Sequence, residues 1–118
     1  MGAGSNRHLN NRVSLTTPEP ARPYNPSVRI DPHTHSSFSD GTQTPAQLIA
    51  SARECGLDVI GLTDHDTTDG WHQAAQAIEG TGLKLLRGME ISCSYQGITL
   101  HLLSYLHDPD NVALNREL

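Results

Sequence analysis

Histidines and carboxylates recur in this chain wherever an apolar run stops. They read His33-Thr34-His35 followed by Asp40-Gly41, then Thr63-Asp64-His65-Asp66, then Gly88-Met89-Glu90, then His101. Imidazole and carboxylate together form a donor set that suits divalent Zn, Mn or Fe, and several such groups delivered by separate strands build a multinuclear hydrolytic centre. His33 and His35 are one residue apart, so on an extended chain both rings project from the same face and can grip one ion. Asp64, His65 and Asp66 stand in a row after an apolar strand. There they would repel one another and lose hydration unless a cation met them.

Each group has an ordinary alternative when taken alone. The histidine pair could sit in an exposed loop, and Ser39-Asp40-Gly41-Thr42 could be a simple turn. Asp64 to Asp66 could be a solvated loop capping a helix, and Glu90 a surface acid. His101, between Leu100 and Leu102 that read as core, could be a hydrogen-bonded buried histidine. Their joint occurrence at strand ends favours the metal reading. Other polar residues carry less: His72 reads as a surface residue and Trp71 as packing, His107 precedes a turn at Asp108-Pro109-Asp110, and Arg87 reads as a solvated strand position. Ser37 and Ser39 lack a base partner, so serine nucleophile chemistry is unsupported.

The elements that must position these groups follow from residue 28 onward. Residues 28–30 form a short strand whose end delivers His33 and His35. Thr44-Pro45-Ala46-Gln47 has the form of a capping box with Pro at the first helical position, predicting a helix to about Glu54. That helix places Leu48, Ile49, Ala52 and Cys55 on one face, and Gly56 ends it in a left-handed conformation. Residues 57–62 read as a strand buried on both sides. A second helix is predicted from about Gly70 to Glu79, capped by Asp69 and closed by Gly80 or Gly82. Residues 83–89 form a third strand with Glu90 at its end. Residues 91–106, broken at Gln96-Gly97, read as a hairpin that returns His101 to the same region. This is the βαβ alternation of an α/β fold, whose active sites gather at the carboxyl ends of the strands.

Length and composition narrow the function classes. A chain of 118 residues is at most one domain. Residues 1–27 lack periodic apolar pattern and crowd Pro18, Pro20, Pro23 and Pro26, which predicts a flexible arm before a domain over 28–118. With 8 Lys+Arg against 13 Asp+Glu the net charge is −5, which argues against an extended nucleic-acid-binding surface. A small phosphorylated substrate stays compatible, because bound cations reverse the local field. No signal peptide or membrane-spanning run is present, so a cytoplasmic protein without membrane partners is expected. Cys55 and Cys93 lack CxxC spacing and read as reduced thiols in apolar surroundings.

The segments His-Thr-His-Ser-Ser-Phe-Ser-Asp-Gly, Leu-Thr-Asp-His-Asp-Thr-Thr-Asp-Gly, Arg-Gly-Met-Glu-Ile-Ser and Leu-His-Leu-Leu together resemble the first motif blocks of the PHP (polymerase and histidinol phosphatase) superfamily. The resemblance spans residues 29–110 and is nearest to bacterial phosphoesterases acting on nucleoside 3′,5′-bisphosphates, nucleoside monophosphates or oligonucleotide 5′ ends. It implies the N-terminal portion of a PHP-type (β/α)7 barrel. It also implies a centre of two or three divalent ions (Mn, Zn, Fe or Mg) that hydrolyses a nucleotide phosphate ester with a metal-bound hydroxide. On that pattern His33 and His35 hold a first ion, Glu90 bridges it to a second that His101 also binds, and Asp40 and His65 hold a third. Asp64 and Asp66 take catalytic roles, orienting ligands or shuttling protons. Pro32 departs from the family, which commonly has an aliphatic residue there. The family's later His and Asp-x-His ligands are absent, so the domain reads as truncated and a C-terminal remainder is expected. The alternatives are a non-catalytic PHP module, or an amidohydrolase, which Asp40 and the Thr-Asp-His-Asp block fit badly.

Overall fold

A computed structural model describes residues 27–118 as a mixed α/β fold. The arm expected over residues 1–27 lies outside the described residues except for Ser27. Four strands stand in the order β1 (Ile30–Thr34), β2 (Val59–Leu62), β3 (Lys84–Tyr95) and β4 (Ile98–Tyr105). β1, β2 and the first part of β3 run parallel, and the second part of β3 pairs antiparallel with β4. Three helices interleave: α1 (Pro45–Glu54), α2 (Trp71–Ile78) and the short α3 (Val112–Glu117).

The core lies where α1 and α2 cover one face of the sheet. Ile60 and Leu62 alternate along β2 and pack with Ile49, Ala52, Trp71, Ala74 and Leu83, all buried. Gly61 turns between them to the opposite face, where β1 passes so close that a Cβ would stand 2.2 Å from the Pro32 carbonyl oxygen. The register of β1 slips between Asp31 and Thr34. Proline has no N–H to donate, so the ladder breaks at Pro32 and the strand bulges. The bare Gly61 accommodates that bulge.

The sheet curls. Tyr105, at the end of β4, donates its hydroxyl to the Pro32 carbonyl on β1, 2.8 Å away and on the far side of the strand order. Its ring crosses above Gly88, where a Cβ would come within 2.8 Å of it.

Several expectations are met and several are corrected. The α1 capping box is present in both directions, with Thr44 Oγ1 accepting from Gln47 N and Gln47 Oε1 accepting from Thr44 N. Gly56 takes φ +72°. Gln96 and Gly97 form the hairpin turn, both with positive φ, as a two-residue turn between twisted strands requires. β1, however, starts two residues later than predicted and contains His33, although the Arg29 carbonyl still accepts from Asp58 N and Val59 N just before it. α2 is capped by Gly70 with no side-chain bond, and Asp69 does not cap it. β3 does not stop before Glu90 but runs through it to Tyr95, since β4 supplies a second partner. Leu100 and Leu102, read as core, are exposed at 48% and 58%, because β4 is an edge strand among the described residues. Cys55 is also exposed, where the chain turns out at Gly56, and both thiols are unpaired. No helix among the described residues is long and apolar enough to cross a membrane.

Candidate metal centre

The exits of β1 and β2 and the middle of β3 converge on one point. Past Leu62 the chain keeps following β3, with Glu90 N donating to the Asp64 carbonyl and Asp66 N donating to the Glu90 carbonyl. Asp66 takes φ +54° there, a conformation that Asp tolerates better than most residues. Its Oδ1 accepts from Ser92 N at 2.7 Å, which pins the turn to β3. After His35 the chain curls tightly around the Ser36 carbonyl, which accepts from both Ser39 N and Gly41 N. At Gly41 a Cβ would lie 2.2 Å from the His35 carbonyl oxygen, so glycine is what lets Asp40 swing back over His35.

The result is a cluster around Glu90. Its Oε2 lies 2.8 Å from His33 Nε2 and 3.0 Å from His35 Nε2, and its Oε1 lies 2.7 Å from His101 Nδ1. His65 Nε2 is 3.9 Å from Glu90 and 3.3 Å from Asp40 Oδ2. Asp40 Oδ1 faces His35 Nδ1 at 3.6 Å. The rings stack or meet edge to face, His35 on His65 with centroids 4.5 Å apart and His65 on His101 at 5.2 Å. The Glu90 side chain is only 9% exposed. Burial alone would push its carboxyl up, but hydrogen bonds from His33 and His101 and the positive field of His65 and His33 outweigh this and hold it below its ordinary value.

Three groups have ligand atoms within 4.8 Å of one another: His33, His35 and Glu90; His35, Asp40 and His65; His65, Glu90 and His101. Hydrogen bonds link part of this cluster, but they leave His35 Nδ1 buried without any hydrogen-bond partner. Imidazole nitrogens and carboxylate oxygens gathered this closely fit divalent cations.

All six ligand candidates from the sequence are brought together. Asp64 and Asp66 are not aimed into the cluster. Asp64 is 2% exposed, and its oxygens accept from Ser36 N, Ser36 Oγ and Ser39 Oγ at 2.6, 2.6 and 2.7 Å. Its burial is therefore met by three donors. Sequence reasoning passed over Ser36 and Tyr105 and weighed Ser39 only as a turn residue and a nucleophile. A buried carboxylate next to a ligand histidine demands donors, and the run Ser36-Ser37-Phe38-Ser39 was the signal. Trp71 packs in the core as expected and His72 and Arg87 are exposed, while His107 lies against Trp71 with its Nδ1 3.0 Å from Ser104 Oγ.

Residues 31–114 match the family described as PHP domain. The chain is 40% identical over 87 residues to the 3′,5′-nucleoside bisphosphate phosphatase of Chromobacterium violaceum, covering 74% of this chain and 30% of that protein. It is 36% identical over 80 residues to a 5′-3′ exoribonuclease of Haemophilus influenzae, covering 68% and 29%. A crystal structure from Bifidobacterium adolescentis, assigned as a metal-dependent phosphoesterase, superposes with a TM-score of 0.72 at 42% identity, covering 77% of this chain and 32% of that one. The chain thus spans under a third of the length of each.

Proposed function

The chain belongs to the PHP domain family, its curled sheet being a fragment of a PHP-type barrel, and from that premise we propose that the whole protein is a metal-dependent phosphoesterase acting on a nucleotide. The carrying observation is the convergence of four imidazoles on the buried carboxylate of Glu90, with the exposed Asp40 set against His35 and His65. His33 and His35 would hold one ion and share Glu90 with a second at His101, while Asp40 and His65 would hold a third. Bound divalent ions supply Lewis acidity toward the phosphoryl oxygens and a water-derived nucleophile at neutral pH.

The chain's own residues supply the rest. Glu90, held ionised by its histidine neighbours, keeps a negative charge at the middle of the site where cations must sit close together. Asp64 and Asp66 orient the two strand exits through their hydrogen bonds to Ser36, Ser39 and Ser92. Beside Asp66 opens a polar cleft of about 420 Å³, lined in part by Thr67, Thr68, Asp69, Asp110 and Asn115. Such a lining offers acceptors to sugar hydroxyls and base amino groups. The similarity to a protein named as a 3′,5′-nucleoside bisphosphate phosphatase favours a nucleotide with a terminal phosphate, and the unpaired thiols suit a cytoplasmic setting.

The test uses the full-length protein with Mn2+ and either adenosine 3′,5′-bisphosphate, a nucleoside monophosphate or a 5′-phosphorylated oligonucleotide. Release of phosphate or nucleotide is expected from one of them. Glu90→Gln replaces the shared carboxylate by a neutral amide and should lower the rate by about 100-fold or more. An unchanged rate would sink the assignment, and purified protein with near-zero metal content would favour a non-catalytic module.

A further inference from the structure

Asp40 is a candidate ligand carried on a loop, where the side chain itself has no hydrogen bond among the described residues to hold it. Its side chain is 68% exposed, and among the described residues it faces two histidines, His35 at 3.6 Å and His65 at 3.3 Å. An exposed carboxylate on a loop loses rotamer and backbone freedom when it binds an ion, and that loss weakens the site unless the loop is already fixed. What fixes it lies one residue away on each side of the centre. Ser39, just before Asp40, donates its hydroxyl to Asp64 Oδ1, and Asp64 stands just before His65. Ser36, at the start of the same loop, donates its backbone N–H to Oδ1 and its hydroxyl to Oδ2. Ser36 is fully buried, and Asp64 nearly so.

The geometry points to Asp64 as a positioning residue. With Ser36 and Ser39 it clamps the β1 exit loop onto the β2 exit and so sets the separation of the Asp40–His65 ligand pair. This rests on the centre being a divalent-metal site. It goes further by separating the ion at Asp40 and His65 from those at Glu90. The backbone of Asp64 also accepts from Glu90 N, but Glu90 is held besides by β4 pairing and by His33 and His101. The clamp therefore acts most directly on the ion at Asp40 and His65, although His35 and His65 also belong to the neighbouring groups.

Metal titration of the full-length protein in chelator-buffered Mn2+, read as ions bound per chain, tests this without any activity measurement. Ser39→Ala should weaken the ion at Asp40 and His65 by about 10–100-fold, weaken the remaining ions much less, and leave the metal-free melting temperature within a few degrees. Ser39→Thr keeps a hydroxyl and should restore wild-type binding. Asp64→Asn should weaken the same ion at least as much, because an amide cannot accept all three bonds. Two results overturn the clamp: titrations of Ser39→Ala and Asp64→Asn that match wild type, or equal loss of every ion together with a collapse in the metal-free melting temperature. A wild-type protein that takes up no metal while both variants fold overturns the reading of the centre itself, and the clamp with it.

Discussion

At Glu90 two opposing effects meet, and their balance has a pH signature. Desolvation raises its carboxyl and the histidines lower it, with a net shift below the ordinary value of 4.5. A carboxyl whose folded value is depressed adds stability that is fully present above its unfolded value and fades as pH falls through the lower folded one. In metal-free protein, the stability lost on acidification from pH 6 toward pH 3 should therefore be smaller in Glu90→Gln than in wild type, read by denaturant midpoints at each pH. A larger acid loss in the variant would contradict the sign. The same carboxylate shows why single residues were hard to judge from sequence: Glu90 is legible as an acid after an apolar run, but its meeting with four histidines depends on contacts 11 to 57 residues apart along the chain.

Two elements carry predictions of their own. The α1 capping box satisfies otherwise orphaned amides at the helix start. Thr44→Ala should destabilise the fold by about 1 kcal/mol, measured by thermal or chemical unfolding, with little effect on metal binding. The bulge in β1 is more demanding. The register slips around Pro32, and a Cβ at Gly61 would meet the Pro32 backbone. Gly61→Ala must push backbone against backbone, and about 1–3 kcal/mol or more of destabilisation is expected, with weakened metal binding since His33 and His35 leave from that bulge. A neutral substitution at Gly61 would show that β1 can move away freely. The register slip itself was not legible. Pro32 announces a strand irregularity, but its direction depends on what lies opposite.

At the scale of the fold, the two edges of the sheet differ among the described residues. β1 is protected by Pro32 and its bulge, whereas β4 presents an eight-residue strand with Ile98, Leu100, Leu102 and Leu103 exposed. An unpaired, apolar edge is a template for pairing with another chain. The 118-residue chain alone should self-associate at micromolar concentration in sedimentation velocity, and Leu100→Lys combined with Leu102→Lys should shift it toward monomer. A strictly monomeric wild-type chain would show that the edge is harmless. In relatives more than twice as long, more chain is available to cover such an edge.

The amino-acid pattern by itself determined the βαβ order, the α1 start and stop, the hairpin turn at Gln96-Gly97 and the identity of the six candidate ligands, because capping, turn geometry and donor chemistry act over a few residues. Only the tertiary structure decided what those groups do to one another. That β3 runs on through Glu90, that Asp64 is satisfied by Ser36 and Ser39, and that Tyr105 reaches Pro32 across the curl all follow from strand partners distant in the chain. Local propensity carries no information about which partner arrives, and it is the partner that turns a row of acids and histidines into a centre.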